Sequence, residues 1–149
     1  MLAVTALTWI GAGSFSFGAE LSAADKQFLA GYEQIRVALV ADDLASARKA
    51  AAALGASGST LASSNSLQDA RTSFSTLSTK AEQLVAGQPG YYVMHCSMVN
   101  KDWVQTTPKV GNPYGGKAMP NCGEVKTQQS TESGHSGHSG HSGHAGHGM

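Results

Sequence analysis

Between residues 67 and 84, the apolar side chains Leu67, Ala70, Phe74, Leu77, Ala81 and Leu84 follow a strict 3-4-3-4-3 spacing. That period puts all six on one stripe of an α-helix, and strand alternation does not reproduce it. A narrow apolar stripe has to be covered by another element, so it predicts a helix in a bundle seam. Ser66 and Asp69 form an S-x-x-D capping box at its start, and Gly87, Pro89 and Gly90 end it.

Two more helices are predicted upstream. Ser22 and Asp25 repeat the capping box, and Phe28, Tyr32, Ile35 and Leu39 recur at helical spacing behind it. Asp42 and Asp43 break that pattern and can cap a second helix with a narrow face of Leu44, Ala47, Ala51 and Leu54. Gly55 is its expected C-terminal stop, followed by the polar loop GASGSTLASSNS. Short connections between amphipathic helices imply antiparallel neighbours. The expected fold is therefore all-α: a small antiparallel bundle of three main helices, an irregular metal-binding motif, and a disordered His-rich tail. The expected organisation is a signal peptide over 1–19, a bundle domain with its motif over 20–126, and the tail over 127–149.

Composition bounds what such a chain does. Apolar residues make up 41% of its 149 residues, but many are alanines, so the core is modest. The formal net charge is zero and only 13% of residues are charged, which leaves no basic patch for a nucleic-acid backbone. No apolar run reaches the roughly 20 residues of a membrane-spanning helix, so no span is expected after signal cleavage. Leu2 to Ile10 reads as the short apolar region of a secretory signal, with small residues offering cleavage near Gly18 or Ala19. Export to the periplasm is the expectation. The alternative is a buried N-terminal helix or strand. Residues 20–88 contain no His or Cys, and their carboxylates sit at caps and solvent faces, so no enzyme is expected there.

Chemistry concentrates after Gly90. Met94, His95, Cys96 and Met98, then Met119 and Cys122, bring together thioether, imidazole and thiol donors, the set that Cu(I) favours over hard cations. His95 and Met98 are three apart, as are Met119 and Cys122, so a helical turn would place each pair on one face. The expected core ligands are His95, Met98 and Met119, with Cys96 and Cys122 as either thiolate ligands or a disulfide. A bridge would contribute roughly 3–4 kcal/mol by the chain-entropy model. Met94 reads equally as core, because residues 91–94 alternate as in an extended strand, and Trp103 and Tyr114 read as packing residues. Zinc suits this motif less, since it lacks paired C-x-x-C and methionine is a poor zinc ligand. Haem attachment lacks its C-x-x-C-H. A nucleophilic Cys96 has no orienting third group, and a redox dithiol would want C-x-x-C.

The tail is a separate signal. His135, His138, His141, His144 and His147 recur every third residue among glycines and serines. Such tracts bind metals, here Cu(II), Zn or Ni. In an extended chain successive imidazoles lie roughly 9 Å apart, at about 3.1 Å per residue, so chelation needs the glycines to fold the chain back. Binding needs neutral imidazoles and should fade below about pH 6. The irregular end at Ala145 and Met149 reads as a natural tail, not a purification tag.

Taken together, His95, Cys96, Met98, Trp103, Asn112, Pro113, Tyr114, Gly115 or Gly116, Met119, Cys122 and Gly123 form a pattern. It resembles a helical bacterial envelope domain found alone or fused to periplasmic adaptors of copper and silver efflux pumps (the CusB type). Arg71, Phe74, Leu77 and Ser78 resemble that family's R-x-x-F-x-x-L-S helix, and the likeness spans roughly residues 25–126. Ser97 stands where the family usually carries Pro. The resemblance implies a periplasmic copper-binding protein acting in heavy-metal resistance, buffering or delivery, with an efflux adaptor or pump as partner. The alternative is an envelope interaction module whose cysteine pair is only a structural disulfide.

Overall fold

The computed structural model describes residues 20–126. The expected signal peptide (1–19) and the tail with its five histidines lie outside the described residues. Helix α1 spans Ala23–Val40, α2 Leu44–Ala52, the single-turn α3 Ser59–Ala62, and α4 Leu67–Val85. Three strands follow: β1 (Tyr92–Cys96), β2 (Lys101–Gln105) and β3 (Glu124–Val125). They form one antiparallel sheet in the order β2-β1-β3.

The helices start where the caps predict. Ser22 accepts from the Asp25 amide while the Asp25 carboxylate accepts from the Ser22 amide, closing a full capping box. Asp43 caps α2 through the Ser46 amide, and Ser66 caps α4 through the Asp69 amide. Gly55 has φ +58°, the left-handed conformation expected just past a helix end. The polar loop after it is more ordered than its composition suggests. It holds a 3₁₀ turn over Gly55–Gly58 and then α3, and it buries Leu61.

The all-α expectation is wrong. Residues 92–105 form a β-hairpin, and residues 124–125 add a third strand on its far side. The fold is mixed α/β. Tyr92, Val93, Trp103 and Val104 are the aromatic and β-branched residues that suit a pleated, half-buried surface. The four-residue turn 97–100 closes the hairpin, with Asn100 at φ +48°. A helix over the same residues would place His95 and Met98 on one face, but that reading rested on two donors and not on an apolar period.

An aromatic column joins the helices to the sheet. Tyr32 on α1 stacks between Phe28 and Phe74, with centroids 6.3 and 4.8 Å away. Phe74 on α4 contacts Tyr114 at 5.8 Å, and Tyr114 meets the edge of Trp103 at 6.3 Å. Two of these rings also occupy the outer edge of β2. The Val104 amide donates to the Tyr32 hydroxyl (3.1 Å), and the Tyr114 hydroxyl donates to the Asp102 carbonyl (3.2 Å). Both phenols meet at the Ser78 hydroxyl, at 2.9 and 3.0 Å. Backbone groups that would invite another strand are thus satisfied from within. Burial raises both phenol pKa values, that of Tyr114 to about 12, so the network stays protonated at physiological pH.

Arginines tie the loops to the helices. Arg36 forks onto Glu33 and donates to the Gly111 carbonyl at 2.9 Å. Arg71 donates to the carbonyls of Pro113 and Leu39 and pairs with Asp42 at 2.5 Å. Gly116, at φ +53°, passes so close to that pair that a Cβ there would collide with both side chains. The hydrogen bond from Arg71 leads the causes that hold the Asp42 carboxyl below its usual range. A depressed carboxylate stabilises the fold above its unfolded pKa, and that gain is lost as pH falls through the folded value. Asp42→Asn, which tolerates the same left-handed backbone, should therefore be less stable than the parent at pH 7. The gap should narrow as pH falls below about 3.9, where free Asp titrates, and close only below the lower folded value. Urea titrations at pH 7 and across the acid range check this; a gap that does not narrow with acid would sink it.

Candidate functional site

Cys96 and Cys122 are bonded to each other, with Cα atoms 5.6 Å apart and a sequence separation of 26. Of the two roles open to the cysteines, the structure shows the bridge. Both thiolates leave the ligand set, and Cys96 is lost as a nucleophile. Cys96 is buried at the end of β1, and Cys122 packs partly buried against the core. The bridge staples β1 to the returning loop 110–122. That loop is built on Asn112, which is fully buried. Its carboxamide oxygen accepts from the amides of Tyr114 and Gly115, and its nitrogen donates to the Cys122 carbonyl at 2.9 Å. This Asx turn is the physical reason for the N-P-Y-G spacing.

The remaining expected donors lie on three different segments: a strand, the hairpin turn and the returning loop. Met98 sits on the hairpin turn and is 74% exposed. Met119 is half-buried in the returning loop, where its carbonyl accepts from the Cys122 amide at 3.4 Å. That hydrogen bond closes a turn between the two residues. His95 belongs to a strand, so it shares no helical face with Met98, and neither methionine lines the clefts that meet at His95. Met94 is core.

His95 has partners that the spacing of soft donors did not reveal. It lies directly opposite Asp102 on β2 and opposite Glu124 on β3, giving an Asp-His-Glu row across the sheet. His95 Nδ1 is 2.6 Å from Asp102 Oδ1, and Lys126 Nζ donates to Asp102 Oδ2 at 2.5 Å. Burial opposes ionisation of Asp102, but hydrogen bonds from Lys126 and His95 outweigh it and hold the carboxyl below its usual range. The same contact raises the Lys126 pKa. Burial, and then the Asp102 charge, raises that of Glu82 on α4.

Two open clefts of about 600 Å³ meet at His95. One runs along α4, past Thr79, Glu82 and Gln83. The other is lined by Asn100, Glu124, Val125 and Lys126, together with His95 and Asp102. Among the described residues no three His, Cys, Asp or Glu side chains are grouped so as to hold a metal ion. Nor, among them, is any helix long and apolar enough to cross a membrane. The hairpin was the signal that could have found Asp102: strands 92–96 and 101–105 around a four-residue turn place residue 102 opposite 95. No family model, curated protein or solved structure matches this chain.

Proposed function

We propose that the chain is an exported interaction module of a heavy-metal-handling envelope system, in which the cysteine pair is structural. The Cys96–Cys122 bridge carries this reading. Bridges persist in oxidising compartments such as the periplasm, which agrees with the signal-like segment at 1–19. The bridge holds the N-P-Y-G loop against the hairpin and so shapes the surface offered to a partner. The metal-handling part rests on the likeness to efflux-associated domains and on the histidine tail, and an efflux adaptor or pump is the partner that likeness suggests.

A second reading keeps copper on the folded domain. It is favoured by Met98, whose thioether stands 74% exposed at the hairpin tip, two residues from the bridge. With His95 and Met119 it would supply a thiolate-free Cu(I) donor set.

One experiment separates the two. Protein purified without reductant is denatured and alkylated, and intact mass should show no label on either cysteine. Labelled thiols would overturn the structural-bridge reading. The tailless protein, residues 20–126, is then titrated with Cu(I) against a chromophoric chelator. The docking reading expects no tight site. The copper reading expects one tight equivalent that His95→Ala, Met98→Ala removes.

A further inference from the structure

The described residues hold five sulfur atoms, those of Met94, Cys96, Met98, Met119 and Cys122, and the fold gives them very different surroundings. Cys96 and Cys122 are bonded to each other, so neither offers a thiolate to an oxidant. Met94 is 0% exposed, in the core and opposite Trp103 on β2. Met119 is half-buried in the returning loop, packed so tightly that a Cβ on Gly115 would stand 2.7 Å from its own Cβ. Among these five residues only Met98 is exposed, at 74%.

The turn that carries Met98 is held at both ends. The bridge fixes Cys96 just before it. Val99 packs against the core, and Asn100, at φ +48°, leads the chain into β2. Met98 therefore projects from an anchored turn, and it buries too little area for packing to account for a methionine there.

We propose that Met98 is an oxidation site, the residue of the described fold that accepts oxygen from hydroperoxides, of which hydrogen peroxide is the simplest. The thioether sulfur attacks one peroxide oxygen. The S–O bond forms as the O–O bond breaks, sulfur gives up two electrons, and the other oxygen leaves as water after taking the proton from the transferred one. A thioether has no proton to lose, so the step needs no base from the protein and its rate follows access to the sulfur. The product is a sulfoxide, polar where the hairpin tip was apolar, and of the kind that methionine sulfoxide reductases return to the thioether. The tip thereby changes polarity with oxidant exposure while the core stays intact. The inference stands apart from docking and from copper, since it concerns the metal-free thioether alone.

The test treats the folded full chain with limiting hydrogen peroxide in the presence of a metal chelator, quenches with catalase, and maps the added oxygen by peptide mass. Met98 should react at close to the rate of N-acetylmethionine amide in the same tube. Met119 should lag behind it, and Met94 should be slower by about tenfold or more, because a buried sulfur waits on local opening. Protein oxidised until Met98 is converted should keep the urea midpoint of the parent. Met94 or Met119 reacting as fast as Met98 would overturn the proposal. So would a Met98 that reacts about tenfold slower than the free amide, since that rate belongs to a shielded sulfur. A midpoint lowered by the sulfoxide would also overturn it, because Met98 would then be part of the packing. Alkylation and Cu(I) titration bear on the bridge and on copper separately, so failure here is distinguishable from failure of the proposed function.

Discussion

Trp103→Ala is expected to destabilise the domain by about 3–5 kcal/mol, the usual range for truncating a fully buried tryptophan. Trp103 is 0% exposed and sits where every layer meets. Its ring edge faces Tyr114, and its Cη2 lies where a Cβ on Gly123 would stand, 2.5 Å away. The returning loop can pass over the indole because residue 123 has no side chain. The indole N–H also donates to Gln105 Oε1 at 3.0 Å. Gln105 in turn gathers the 105–111 loop, accepting from the Gly111 amide and donating to the Thr107 and Lys109 carbonyls. Removing the ring opens a cavity and takes one donor from a buried carboxamide. Domains of this size hold about 5–15 kcal/mol in total, so a large share of the stability should vanish. Urea unfolding followed by circular dichroism should show a midpoint lower by roughly 2 M, given slopes of about 1–3 kcal/mol per molar. Met98→Ala, made at an exposed site, should move the midpoint very little. A loss under about 1 kcal/mol for Trp103→Ala would contradict the packing described.

Loss of the bridge is the second large effect. A sequence separation of 26 corresponds to about 3–4 kcal/mol of loop-closure entropy in the chain-entropy model. The closed loop contains β2, Gln105 and the Asn112 turn, so it includes most of what completes the sheet. The double variant Cys96→Ser, Cys122→Ser should lose stability in that range. The cut should fall mainly on the half of the molecule after Gly90, because α1, α2 and α4 pack on one another without it. Reductant should reproduce the loss in the parent and do nothing to the variant. Hydrogen exchange would localise it, with β1 and β2 amides losing protection before those of α4. A double variant within about 1 kcal/mol of the parent would show that packing around Trp103 holds the sheet unaided.

These two cases show where the sequence could be read and where it could not. The helical half was legible because its information is local. Six side chains at 3-4 spacing, three caps and a terminal Gly55 each act within a turn or two, and the structure places them as expected. The half after Gly90 was misread as irregular because its order is not local. A five-residue strand carries little signal alone, and β1 becomes a strand by pairing with residues 101–105 and 124–125. The surroundings of His95 were hidden for the same reason. Grouping His95 with Met98 and Met119 relied on donor type and spacing, whereas the strand pairing sets Asp102 and Glu124 beside the imidazole.

The three main helices, the packing roles of Trp103 and Tyr114, and the concentration of soft donors after Gly90 could be read from the residues alone. Each follows from side-chain chemistry and short-range periodicity, which need no knowledge of what lies across space. That the two cysteines meet, that residues 92–105 and 124–125 make a sheet, and that His95 turns one nitrogen to Asp102 emerges from the three-dimensional arrangement alone. Those facts are pairings between residues up to 31 positions apart (125 − 94), from Met94 to Val125. A pairing is settled by the backbone hydrogen bonds and buried area of the whole arrangement.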